Sequence, residues 1–208
     1  MRIKHRNVSP KVDESTLITP TAVVVGNVTV GSRSRIMYGA VVNSEGSKVN
    51  IGECTIICEN AVIRAVSSPS SEHPVEIGDN VFIGPHATLL GCKVADKAYI
   101  ATGATVLQGA AIHSGAVITV GALVHSNTVI PEGFFVPPYT VAIGNPVKLF
   151  SPNEREAMGQ AIKEIGFAKT AFGIEGKLND SASVYKQTTE IRSKEFVVHM
   201  DDKIVDWR

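Results

Sequence analysis

The side chains that could do chemistry here are six histidines and three cysteines, spread over 208 residues. His5, His73, His86, His113, His125 and His199 form no His-x-His or His-x-x-x-His pair, so no short segment presents two imidazoles to one metal. His73 lies in a Ser/Pro-rich stretch, where a solvated loop histidine is expected. His5 and His199 stand in terminal segments and carry no motif. Cys54 and Cys58 lack CxxC spacing, and three thiols fit reduced packing residues. Cys58 with Cys92 would suit a soft metal only if the fold aligned them. Serine-nucleophile and phosphate-loop spacings are absent. Any chemistry therefore depends on what brings distant residues together.

That positioning device is a six-residue ladder. From Val94 an apolar residue recurs at Ile100, Val106, Ile112, Ile118, Val124, Ile130, Val136 and Ala142. The spacing also links Ile77, Ile83 and Leu89, with one five-residue step from Leu89 to Val94. It appears again at Ile18, Val24, Val30, Ile36 and Val42, and at Ile51, Ile57 and Ile63. Six is even, so each repeat returns a side chain to the same strand face. Three hexads close one triangular coil, and the chain reads as an all-β parallel β-helix of the hexapeptide-repeat type.

Composition narrows the partners. Lys plus Arg and Asp plus Glu are 20 each, and this zero balance offers no basic stripe to a nucleic acid. The polar stretch Met1–Ser9 lacks a signal-peptide core, and no segment has the length of a membrane span. With reduced cysteines this suggests a cytoplasmic protein, an organelle being the other option.

Taken in order, Met1–Leu17 leads in and the coil runs from Ile18. Asn43–Asn50 and the Ser/Pro-rich Ala65–Glu76 interrupt it, the second as a long flexible excursion suited to function. Pro137, Pro138 and Pro146 suit the end of the coil. The expected division is a β-helix over 1–147 and a C-terminal helix and tail over 148–208. Ser151–Ala171, opening on Ser-Pro-Asn-Glu, predicts an amphipathic helix along one face. Phe172–Ser193 is polar and gives little. Phe196–Met200 and Lys203–Trp207 predict a hairpin or a strand for a neighbouring subunit.

Three segments carry a family resemblance: Ile83-Gly84-Pro85-His86-Ala87-Thr88-Leu89-Leu90-Gly91-Cys92-Lys93-Val94, Val136-Pro137-Pro138 and Gly144-Asn145-Pro146-Val147-Lys148. With them, roughly Val24–Ala168 resembles the γ-class carbonic anhydrases. The resemblance implies a left-handed β-helix with a C-terminal helix, a homotrimer, and zinc between subunits held by three histidines. Zinc there would lower the pKa of a bound water for attack on carbon dioxide.

On this sequence the three ligand positions of the resemblance fall on Arg64, Pro85 and Leu90. A guanidinium repels a cation, and the other two side chains have no donor. The family's Arg-Gly-Asp falls on Asn43-Ser44-Glu45, and its glutamine near the zinc-bound water falls on Cys58. Asn43, Glu45, Cys58, Arg64, Pro85 and Leu90 thus make up an altered site. His86 follows Pro85 and alternates away from it, which suits a surface role. His125 shares the face of Leu90 by hexad phase, which suits packing, and His113 falls on another face.

These readings give three expectations. The first is a trimeric scaffold or small-anion binder without zinc, in which Arg64 and Asn43 could hold an anion and the tail could dock a protein. The second is a hexapeptide acyltransferase using acetyl-CoA, with His86 or His125 as general base. The third is a hydratase with ligands relocated to His73, His86 and His125.

Overall fold

The computed structural model describes residues 1–68, 71–167, 170 and 181–206. Short strands wind into a β-solenoid of about eight turns with three flat faces. The first face runs from Arg2–Lys4 through Val23–Val25, Val41–Asn43, Val62–Arg64, Thr88–Leu90, Thr105–Val106 and Leu123–Val124 to Val141–Ile143. The second face spans Lys11–Val12 to Val129–Ile130, and the third spans Leu17–Ile18 to Phe135–Val136.

The ladder is the interior. On the third face Ile18, Ile36, Ile57, Ile83, Ile100, Ile118 and Val136 pair coil to coil in parallel register. All of these except the partly covered Ile18 are buried, as is every ladder residue from Ile77 to Ala142. The five-residue step also has a structural meaning. Ile83 pairs with Ile100 and Leu89 with Val106, seventeen residues on rather than eighteen. The shortened corner is closed by Gly91 at φ +48°, where an added Cβ would press on the Cβ of His73 at 2.5 Å.

Four expectations are corrected. Met1–Leu17 is more than a lead-in, because Arg2–Lys4 already pairs in parallel with Val23–Val25 and Lys11–Val12 with Val28–Val30. The excursion Ala65–Glu76 holds an antiparallel hairpin, in which Val66 faces His73 and Ser67 faces Glu72. The predicted C-terminal hairpin does not form. Instead Ser181–Phe196 is a helix, Val197–Asp201 a 3-10 turn, and Lys203–Asp206 a strand antiparallel to Arg2–Lys4. Trp207 lies outside the described residues. The helix expected from Ser151 begins at Arg155 and ends at Glu164. Glu154 Oε2 instead accepts the Ser151 N–H at 2.7 Å, which holds Ser151-Pro152-Asn153 as a turn.

Antiparallel strands close both ends of the first face. Lys148–Phe150 folds back on Val141–Ile143 at one end, and Lys203–Asp206 covers Arg2–Lys4 at the other. The C-terminal segment therefore travels from the last coil to the first. Three of its described residues touch the first face. Phe167 meets His125 edge-on at 4.9 Å, Phe196 lies over Arg64, and His199 reaches Glu45.

Candidate functional site

The first face carries one outward column through Val25, Asn43, Arg64 and Leu90, each opposite the next in register. These side chains alternate with the buried ladder, so they point away from the core. After Asn43 the chain leaves the coil in a turn, in which Ser47 N–H bonds the Ser44 carbonyl at 2.9 Å. Glu45 takes a left-handed conformation there, at φ +47°. Asn43 Oδ1 accepts the Glu45 N–H at 2.8 Å, and Asn43 Nδ2 donates to Glu45 Oε1 at 2.9 Å. Such side-chain bonds to neighbouring backbone are how Asn stabilises a turn of this shape. Glu45 is thereby aimed at the column, and Arg64 Nε donates to its Oε1 at 2.9 Å. The Arg64 guanidinium carbon sits 5.2 Å from the centre of the Phe196 ring, a cation–π contact.

Two histidines that the sequence left without a role complete this group. Asp202 binds both through its two oxygens, His5 Nδ1 at 2.6 Å and His199 Nδ1 at 2.8 Å. Their rings stack with centroids 4.4 Å apart and planes 20° apart. His199 Nε2 lies 3.3 Å from Glu45 Oε2. The His5 side chain is fully buried, and its Nε2 has no hydrogen-bond partner among the described residues. Burial alone would lower the His199 pKa, but hydrogen bonds to Asp202 and Glu45 outweigh it and raise it. The available sequence signal was charge: Arg2, Lys4, His5 and Arg6 against Asp201, Asp202 and Asp206. Arg2 is indeed ion-paired with Asp206.

The other expected residues are placed as follows. Arg64 and Leu90 are neighbours on the first face, whereas Pro85 lies at the corner between the third and first faces. Cys58 occupies the adjacent coil at that corner, since its N–H bonds the Ile83 carbonyl. Cys92 follows Leu90 at a different corner, so the two thiols do not share a site. Burial pushes the Cys92 thiol up to about 12, which makes it inert. His86 is exposed at a corner with φ +58°. His125 is buried against Phe167, and its Nδ1 accepts the Ser126 N–H at 2.9 Å. Burial lowers the pKa of both His125 and His73. The three histidines weighed as relocated ligands are thus a corner residue, a hairpin residue and a packed residue. Among the described residues the group able to converge on a metal is instead His5, Glu45 and His199.

Comparison with known proteins bears on the family. Over 103 residues the chain is 41% identical to "Gamma carbonic anhydrase 1, mitochondrial" of Arabidopsis thaliana, covering 49% of this chain and 38% of that protein. It is 33% identical over 95 residues to "Probable carbonic anhydrase" of Methanocaldococcus jannaschii, covering 46% and 57%. Over about half its length the chain is similar to γ-class carbonic anhydrases, and its fold is of the hexapeptide-repeat type. It spans about two fifths of the Arabidopsis protein's length. No family model matches it. A Desulfovibrio desulfuricans crystal structure assigned to the acetyltransferases superposes with a TM-score of 0.50 at 17% identity, over 64% of this chain and 31% of that one; this supports the fold alone. Among the described residues no helix is long and apolar enough to cross a membrane. The donor set at Arg64, Pro85 and Leu90 does not fit zinc: none of the three offers a lone pair at neutral pH.

Proposed function

We propose that this γ-carbonic-anhydrase-like protein is an oligomeric scaffold that does not hydrate carbon dioxide through zinc at Arg64, Pro85 and Leu90. One observation carries the reading. Arg64, at the first of those positions, is held by Glu45 at 2.9 Å and roofed by Phe196 of the chain's own C-terminal segment. A position that should bind a metal is instead built into an ion pair and a cation–π contact. The same engagement favours a scaffold over an anion-binding site, because Arg64 already has a carboxylate. Assembly, as a homotrimer, finds support in the third face. There Phe82, Tyr99 and Phe135 are exposed in one in-register column, with Phe82 stacked on Tyr99 at 5.4 Å, and Leu17 lies farther along it beyond Arg35 and Ile56.

Stopped-flow measurement of carbon dioxide hydration, with zinc supplied, tests the catalytic half. The expected rate equals the buffer blank. A zinc-dependent rate that disappears in Leu90→Ala or Pro85→Ala would overturn it. Light scattering during size exclusion tests the other half: a multiple of the chain mass is expected, and a strict monomer at high concentration would defeat the scaffold reading.

A further inference from the structure

We propose that His5, His199 and Glu45 form a divalent transition-metal site within one chain, with zinc as the representative ion and Asp202 as the carboxylate that orients both imidazoles. One donor atom from each of the three residues lies within 4.8 Å of the others.

The argument begins with protons. Asp202 takes Nδ1 of both rings, so each imidazole donates its Nδ1 proton to that carboxylate. Each Nε2 of a neutral ring is then a bare lone pair. The Nε2 of His5 is buried and has no partner. A buried, unsatisfied polar atom is costly and rare in native folds. The Nε2 of His199 faces Glu45 Oε2 at 3.3 Å, which sets two acceptors against each other. That contact is stable only with positive charge between the atoms, either a proton on His199 or a cation shared with His5. A proton on His199 leaves the buried Nε2 of His5 unsatisfied, whereas a cation drawing one donor atom from each residue would serve all three once the stacked rings turn toward it.

The donor chemistry fits. Two imidazole nitrogens and one carboxylate oxygen are a zinc ligand set, normally completed by a water. Ligands bonded at about 2.0–2.1 Å in tetrahedral geometry stand roughly 3.3 Å apart, the separation already found between His199 and Glu45. A carboxylate holding the far nitrogen of each ligating histidine is the usual outer support of such sites. The Glu45 oxygens divide the work: Oε1 meets Arg64 and Oε2 faces the proposed ion. His199 is partly exposed, which provides a route for entry and for the water. The ion would tie together the first strand's exit, the Ser44–Ser47 turn and the C-terminal turn.

Chelator-stripped full-length protein is titrated with zinc, and separately with cobalt(II), which reports its donors by visible absorption. One saturating zinc per chain is expected, with cobalt bands of a four- or five-coordinate nitrogen and oxygen site. His199→Ala and Glu45→Gln each weaken zinc binding at least 100-fold, and Asp202→Asn weakens it about 10–100-fold. Strand content by circular dichroism verifies each variant. His5→Asn alters a buried residue, so the proposal does not depend on its folding. No saturable binding, or binding unchanged in both His199→Ala and Glu45→Gln, overturns the site. The readout is binding and spectrum rather than hydration, so this site and the scaffold reading stand or fall separately.

Discussion

Glu45 shows how much one residue can organise. Its left-handed backbone sits in the Ser44–Ser47 turn, Asn43 clamps it from the preceding strand, and its side chain reaches Arg64 and His199 on two distant segments. Glu45→Gln in metal-free buffer removes the charge that Arg64 and His199 face while keeping the shape. It should lower unfolding stability by about 1–3 kcal/mol, the cost of stranding partly buried polar partners. Urea denaturation measures this, and an unchanged midpoint would mean that Arg64 finds another acceptor. A second residue prediction concerns His125. Its folded pKa lies below the ordinary 6.5, because burial disfavours the charged ring. The unfolded chain then takes up a proton first as pH falls. The neutral ring's contribution is complete above about 6.5 and is lost as pH drops through the lower folded value. Wild type should therefore lose more melting temperature between pH 7.5 and pH 5 than His125→Gln, and equal losses would refute the assignment. The face of His125 was legible from hexad phase. The joining of His5 to His199 was not, because a period reports neighbours one coil apart and these residues meet only after the chain returns along the whole solenoid.

At the scale of elements, strands that follow the ladder were readable because burial and spacing are the same fact in a coil. Turns, excursions and the C-terminal path obey side-chain bonds and long returns, which carry no period. The short hexad illustrates the difference. Its five-residue step was visible in the sequence, but the crowding of Gly91 against His73 was not. Gly91→Ala meets both a positive φ and a neighbouring Cβ. It should destabilise the fold by about 1–3 kcal/mol, read by thermal melting. An equally stable variant would show that the hairpin carrying His73 yields freely. The C-terminal strand makes a different prediction. Removing residues 203–208 uncovers the edge of Arg2–Lys4 and deletes Asp206, the partner of Arg2. An open parallel edge invites pairing with other chains, so the truncated protein should aggregate where the full chain does not. Light scattering at matched concentration decides this.

For the whole molecule, the three faces have different fates. Each coil touches mainly its neighbours, so the fold is close to one-dimensional and its ends need caps. Two antiparallel strands provide them on the first face, and among the described residues between those strands Phe167 meets His125, Phe196 meets Arg64 and His199 meets Glu45. The second face offers Lys93 and Glu76 to solvent as an ion pair at 3.1 Å, a surface compatible with water. The third face exposes Phe135, Leu17, Tyr99 and Phe82, in decreasing order, along a column that Arg35 interrupts near Leu17. If copies of this chain assemble, burying that column is a hydrophobic gain. A Phe82→Glu/Tyr99→Glu double variant places two like charges on adjacent coils of the column, and no core residue is touched because both side chains point outward. It should shift the protein toward monomer in size-exclusion light scattering while its circular dichroism stays that of the wild type. Lys93→Glu on the second face should leave the assembly unchanged. The reverse pattern, with assembly lost in Lys93→Glu and kept in the double variant, would place the contact on the second face and leave the aromatic column without an assembly role.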